Sequence, residues 1–404
     1  MSVNTMTFEQ VATVLQNVAE QATGVRAITP VDTGSFVSVA QTAINAGKDK
    51  VLNAISNVIG RTIFSVRPYF AKLTGLEKDS MQWGAIMRKL KIADKDWQED
   101  SAYKYPVLFD ASQQSNPLGD GGAVDPWTIR KPQILETNFV GQSVYMDWYT
   151  VTEDQLETAF TSPEEFGNFL SLVTINLDSK YEQSKEVLKR GLVANAIGSL
   201  LDEDDPDRVI HLLTDYNNLT GLSLTTSSVY QPDNFSPFMK WCYARIQQVS
   251  DEFTERSVKY QTMINQIPIP QHTPKELQHL YMFSPARRQM DARVLADTYH
   301  DNMLRYGDVE TLSYWQSVDT PDSINLTPTY TDTTGAVRSP NAPVEQSGIF
   351  AFLFDDTALA FSPQGERLVP TPVNGKGLYR NVYLHAKHRI MMDNTEKMAV
   401  FLLD

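Results

Sequence analysis

The side chains in this 404-residue chain that could do chemistry are six histidines, one cysteine and two short acidic clusters. His211, His272, His279, His300, His385 and His388 show no HExxH or comparable metal-ligand spacing. His385 and His388 would share a face of a helix. Three residues apart on a strand they point to opposite faces, so a structural or surface role is expected for both. The run Asp202-Glu203-Asp204-Asp205-Pro206-Asp207 is rich enough in carboxylates to attract calcium. It lacks the glycine and the bidentate terminal glutamate of an EF-hand loop, and reads instead as a solvated loop. Asp355-Asp356 closes an apolar run, a place where catalytic carboxylates can sit. With no partner histidine, lysine or glycine-rich phosphate loop in sight, Asp355 or Asp356 is expected to cap a helix starting at Thr357-Ala358-Leu359. Cys242 falls on the apolar face of a helical pattern and reads as a buried thiol. G-x-S-x-G, GxxxxGK(S/T) and GxGxxG are all absent, and Asn374-Gly375-Lys376-Gly377 is too short for a phosphate cradle, so it reads as a turn. No catalytic constellation results, and neither a cofactor nor a metal is expected.

The elements that would position such residues point elsewhere. One helix is predicted from Ser162 to about Leu201, opened by Ser162-Pro163-Glu164-Glu165 as a capping box with proline in the first turn. At 1.5 Å per residue it would be a rod roughly 60 Å long. Phe166, Leu170, Val173, Leu177, Tyr181, Leu188 and Leu192 recur at steps of four and three, broadened by Phe169, Leu172, Val193, Ile197 and Leu200. Ser184 and Asn195 interrupt the stripe, so a helix covering a sheet is preferred to a coiled-coil seam.

Before the rod, residues 7–22 read as an amphipathic helix. An arm at 29–35 follows, then a second helical pattern through 37–40 and 51–55. This segment is too thinly apolar for a core of its own and is expected either to stay disordered or to lie on another surface. Residues 83–150 read as extended: a strand at Lys104–Phe109, a glycine-bearing loop at 113–122, and Val144, Met146 and Trp148 alternating with Tyr145, Asp147 and Tyr149. Together they suggest a long hairpin reaching away from the body. After the rod come a short strand or helix start at Val209–Leu213 and a helix opened by Ser236-Pro237. A buried strand at Leu280–Phe283 then runs into a helix reaching about Tyr299. Strands alternating with helices over 205–300 imply a mixed α/β domain. Residues 318–348 are loop-rich, Ile349–Phe354 is a central strand, and strands around 382–390 and 398–403 are expected to pair as a terminal hairpin.

A net charge of −14 argues against tight binding to nucleic acid through phosphate neutralisation. A lone cysteine excludes intrachain disulfides, and the first residues lack a signal-peptide pattern. No apolar run reaches the ~18–20 residues of a membrane span. A soluble protein from a reducing compartment is expected.

Three stretches of text resemble a known family. Ser347–Leu359 resembles the strand followed by Asp-x-Ala (here Asp356-Thr357-Ala358) of many phage head proteins. Gly377-Leu378-Tyr379-Arg380-Asn381 resembles their tyrosine-x-asparagine segment, and Asp393–Phe401 their acidic turn and closing strand, with Glu396-Lys397 where Glu-Asn is frequent. With the order arm, extended loop, long helix, α/β domain and closing strands, the chain resembles the major capsid protein of tailed double-stranded DNA bacteriophages. That family has the α+β Hong Kong 97-type fold.

The resemblance implies an N-terminal arm at 1–75, an extended loop at 76–150 and a peripheral domain at 151–204 with its spine helix at 163–201. It further implies a mainly axial domain at 205–345 and a return to the peripheral domain with a C-terminal β-hairpin at 346–404. It implies pentamers and hexamers tiling an icosahedral shell around DNA that the shell contacts weakly, with a scaffolding protein and a portal as partners and no membrane. Interface candidates are Arg61, Arg67, Tyr69 and Phe70 at the arm's end and Tyr145, Trp148 and Tyr149 on the extended hairpin. For the aromatics, packing within the chain stays open. Some relatives crosslink a loop lysine to an asparagine. Lys89, Lys91, Lys95 and Lys104 are available for this, but none is singled out, so no crosslink is expected. An encapsulin-type compartment and a soluble α/β enzyme with an unrecognised site remain as alternatives.

Overall fold

A computed structural model describes residues 7–26, 29–47, 50–51, 54, 70–78, 86–93, 127, 133–140, 143–152, 155, 162–290 and 308–404. The expected strand at 104–109, the loop at 113–122, and Arg61, Arg67, Tyr69, Lys95, Lys104 and His300 lie outside the described residues, as does the stretch toward Tyr299.

The rod forms as α3, Pro163–Glu203, 41 residues long; the earlier helices are α1, Phe8–Thr23, and α2, Thr33–Asn45. The amide of Phe166 bonds the Ser162 carbonyl at 3.1 Å to close the first turn. At the far end Asp204 turns left-handed (φ 49°), which releases the chain two residues before Pro206. Leu192, Val193, Ile197 and Leu200 are buried as the stripe requires. The side chains of Phe169, Leu170, Leu172, Val173 and Leu177 lie outside the described ones.

The centre is a five-stranded sheet in the order β4 (Val209–His211), β14 (Met398–Leu402), β11 (Ile349–Asp355), β5 (Gln278–Phe283) and β6 (Asp308–Leu312). Every residue of β11 is buried, as expected for a continuous apolar run covered on both faces. Phe350, Ala351 and Leu353 join a core with α4 (Leu212–Thr220), α5 (Pro232–Thr254) and Ala286 of α6 (Ser284–Met290). Phe352 and Phe354 join another with Leu192, Ile197 and Leu200 of the rod. Residues 318–348 hold two small ladders, β7 (Ile324–Leu326) with β10 (Val344–Gln346) and β8 (Tyr330–Thr331) with β9 (Val337–Arg338). Cys242 is fully buried on α5.

A second sheet has three strands, β12 (Leu359–Pro370), β13 (Tyr379–Met392) and β3 (Ser143–Thr152), all antiparallel. A separate hairpin pairs β1 (Ile86–Ala93) with β2 (Gln133–Val140).

Four expectations are corrected. The terminal hairpin does not form: β13 pairs with β12 and β3, whereas β14 pairs with β11 and β4. The acidic turn carries the chain from one sheet to the other instead of reversing it within one. Asp355 caps no helix; its carboxylate accepts from the Thr357 amide at 2.7 Å in a turn, and β12 begins at Leu359. The helix expected at Ser236 starts at Pro232, with Pro237 inside it, because Gln231 already accepts the amides of Asn234 and Phe235. Finally, Tyr145, Trp148 and Tyr149 are not on the projecting hairpin. They sit on β3, paired across to Ala386, Tyr383 and Val382.

The arm's helices do find another surface. Val11, Leu15, Val18, Phe36 and Ala40 form a cluster with Val151 of β3 and Phe166 of the rod. Phe36 meets Phe166 edge-on at 6.1 Å.

Candidate assembly surfaces

Strand β3 is half exposed on both sides at its outer end. Val144, Met146 and Trp148 share one face of it, each about half exposed, and Trp148 lies 6.0 Å from the ring of Tyr383. On the opposite face Tyr145 lies 5.9 Å from the ring of His388, and Tyr149 joins the arm cluster, where burial drives its hydroxyl pKa up. Between this face and the rod is an open groove of about 470 Å³ lined by Tyr145, Tyr181, Val187, Leu188 and Leu384. Of the interface candidates at the arm's end only Phe70 is described, and it is 74% exposed.

His388 is fully buried at the root of that groove, stacked between Tyr181 at 5.6 Å and Phe361 at 5.1 Å. Among the described residues neither ring nitrogen finds a hydrogen-bond partner. Burial, reinforced by the nearby Lys185 charge, pushes its pKa down to about 4. His385 stacks on Tyr383 of the other face, as the strand reading required.

The stretch after Phe70 crosses the rod as a strap. The amides of Ala71, Lys72 and Leu73 donate to Glu182 at 3.1 Å, Glu186 at 3.4 Å and Glu310 at 2.8 Å. The buried Lys189 pairs with Glu77 at 2.6 Å and donates to the Lys72 carbonyl at 3.2 Å. Leu73 is buried in a left-handed conformation (φ 63°), a strained choice for leucine. The strap ends where Lys78 pairs with Asp356, which also accepts from His279 at 2.7 Å. The His279 hydrogen bond, against some burial and with help from Lys78, holds the Asp356 carboxyl down to about 2.

The β1–β2 hairpin touches the body through charge. Lys89 pairs with Asp393 at 2.9 Å and with Glu396; Lys91 pairs with Glu396 at 2.8 Å and with Asp393 at 3.5 Å. With its amide turned to donate to Glu396, Gln271 accepts from Lys91 at 2.7 Å. Both carboxylates are almost wholly buried. Burial opposes the charge of Asp393, yet Lys91 and Lys89 win, and its pKa lies below the usual carboxylate range. By contrast Leu90, Ile92 and Ile134, which share one face of the hairpin, are each more than half exposed. The extended loop is therefore not free of its own body, contrary to the picture of a hairpin reaching away from it.

A family model, Phi29-like phage major capsid protein, matches residues 13–402. The chain belongs to this family. Among solved structures it is similar to a chain of the capsid structure of Staphylococcus phage Andhra (11% identity, TM-score 0.53, 85% of this chain and 87% of that one). It is equally similar to a chain from the structure of head fiber and inner core protein gp22 of native bacteriophage P68 (10% identity, TM-score 0.53, 85% and 87%). No curated protein matches. At such identities the two structures speak to fold alone, and both share the mixed α+β architecture. As a phage major capsid protein the chain is a structural component of the virion shell and not an enzyme. Among the described residues, no helix is long and apolar enough to cross a membrane.

Two features of this capsid protein escaped the sequence reading. Lys89 and Lys91 read from the sequence only as crosslink candidates, although alternation on a strand puts both side chains on one face, and the acidic turn 393–396 holds two carboxylates. The Lys78–Asp356–His279 cluster had no such signal, because its members lie 77 and 278 residues apart. In the acidic run, Asp202 pairs with Arg338 at 3.3 Å and Glu203 with the buried Arg208, so that run is more tied down than a solvated loop.

Proposed function

We propose that this capsid protein has the Hong Kong 97-type arrangement and builds an icosahedral shell of pentamers and hexamers around double-stranded DNA. Residues 1–75 act as the arm, and the β1–β2 hairpin belongs to the extended loop. The rod with β12, β13 and β3 is the peripheral domain. The five-stranded sheet and its helices form the axial domain, taking β11 and β14 with them. A scaffolding protein and a portal are the expected assembly partners.

The observation that carries this reading is the 41-residue rod in a chain that also exposes an apolar hairpin face and a half-exposed aromatic sheet face. An extended subunit with such faces leaves stabilising burial to its neighbours. The charge of −14 suits the role, since a strongly basic lining would adhere to packed DNA and resist its movement.

Electron microscopy of the purified protein at high concentration tests the proposal. Closed shells, or rings of five and six subunits, are expected, with DNA and no protein cargo in filled particles. Monomers alone would count against it, and shells filled with an enzyme would make the protein a compartment. Deleting residues 1–60 should leave a subunit folded by circular dichroism that no longer assembles. Normal shells from the truncated chain would remove the arm from the account.

A further inference from the structure

The turn Asn374-Gly375-Lys376-Gly377, which joins β12 to β13, has no part in the shell reading, yet its atoms are arranged for a reaction. Asn374 is the only asparagine in the chain that is followed by glycine. Its carboxamide is held at three points. The Oδ1 accepts from the backbone amides of Lys376 at 3.0 Å and Gly377 at 3.2 Å, and the Nδ2 donates to the Tyr379 hydroxyl at 3.1 Å. The Asn374 backbone is fixed as well, donating to the Tyr379 carbonyl at 2.9 Å and accepting from the Leu378 amide at 2.8 Å. Gly377 belongs to the arrangement, because a Cβ there would lie 2.5 Å from the Tyr379 ring. Gly375 instead faces open space, and its amide donates to none of the described residues. Residues 374–378 are all exposed, so water reaches them.

These contacts supply the parts of an acyl transfer. The Gly375 nitrogen is the nucleophile, and its attack on the Asn374 Cγ closes a five-membered ring without any second molecule. The two amides on Oδ1 stabilise the oxyanion that develops there. The Tyr379 hydroxyl, already on Nδ2, protonates that nitrogen as it leaves. We infer that Asn374-Gly375 is a self-modifying site that passes through a succinimide to isoaspartate. Water or hydroxide takes the Gly375 proton as the nitrogen–Cγ bond forms. The Cγ–Nδ2 bond breaks, ammonia departs, and Tyr379 recovers its proton from water. One water then opens the ring: at the former backbone carbonyl it gives isoaspartate, at Cγ aspartate. Either product adds a negative charge, and isoaspartate also lengthens the backbone. The change falls between Val373, which packs on the arm cluster, and the pairing with Tyr379, so ageing chains alter where the arm is seated.

Wild-type protein held at mildly alkaline pH and sampled over days tests this. Mass spectrometry of the tryptic peptide 368–376 reads the exchange of amide for acid, and an isoaspartyl methyltransferase scores the isoaspartate. The folded chain should convert at least about tenfold faster than a synthetic peptide covering residues 368–380. Tyr379→Phe should lose most of that gain while keeping its circular dichroism. Gly375→Ala should fold normally, since nothing lies within 4 Å of the added Cβ, and hardly convert, because the methyl crowds the attacking nitrogen. A folded chain that converts no faster than the peptide would overturn the proposal, since the three-point hold would then be a lock. A Tyr379→Phe rate equal to wild type would overturn the proton transfer. None of these readouts needs particles, so the shell reading stands or falls separately.

Discussion

The five-stranded sheet and the β1–β2 hairpin are both β-structure, yet they are held in opposite ways. The sheet is fixed by apolar burial on two faces: every residue of β11 is out of solvent, and Phe352 and Phe354 stack at 5.0 Å within the core beneath the rod. The hairpin is seated through the ion pairs of two lysines, and Leu90, Ile92 and Ile134 on its other face are exposed. Burial is collective and cannot be surrendered residue by residue, whereas a few ion pairs are local and can be removed by changing two side chains.

Four experiments would break or sharpen that contrast. The largest effect is expected from Phe352→Ala, which empties a site between the sheet and the rod. Denaturant unfolding of the free subunit should show a loss of about 3–5 kcal/mol, and a loss near zero would mean that the sheet is not the rigid part. Next, Lys89→Ala with Lys91→Ala leaves two buried carboxylates unpaired and should cost about 3 kcal/mol in the same assay. An unchanged midpoint would show that the turn relaxes into water, and the hairpin would then be ornamental to the free subunit.

Acid should act through His388. Its folded pKa of about 4 lies below the ordinary 6.5, so the folded state holds the ring neutral while the unfolded chain protonates first. The stability this contributes is complete above 6.5 and is lost as pH falls from 6.5 toward 4. His388→Phe keeps the stack between Tyr181 and Phe361 and should flatten the unfolding midpoint across that window. An equally steep slope in the variant would assign the acid sensitivity elsewhere. The smallest effect on the free subunit is expected from Trp148→Ala, about 0.5 kcal/mol at a half-exposed site. The same change should slow assembly followed by light scattering, and an unaltered rate would remove the outer face of β3 from the contact surface.

Local chemistry made part of this fold readable in advance. The rod announced itself through Ser162-Pro163 and an unbroken stripe, and β11 through six consecutive apolar residues. The face alternation of His385 and His388 followed from the geometry of a strand. Strand partnership did not follow, because two strands separated by a tight acidic turn normally pair, and nothing in Asp393-Asn394-Thr395-Glu396 says that they belong to different sheets. The aromatics of β3 read as part of a projecting loop for the same reason: their partner, β13, lies more than two hundred residues away. The contact surfaces were legible as residue types and not as places. Lys89, Lys91, Tyr145 and Trp148 all stood out in the sequence, while the carboxylates and rings they meet came only with the fold.

Asp393 and Glu396 occupy the few residues that link the last long strand of one sheet to the closing strand of the other. Any tug on a hairpin seated there is therefore delivered straight to the joint between the two layers. Lys397, next in line, ties that joint to the end of α5 by donating to the carbonyls of Phe253 at 3.1 Å and Glu255 at 2.7 Å. Hairpin, both sheets and α5 thus meet at one short turn, so a displacement of any one of them is felt by the other three.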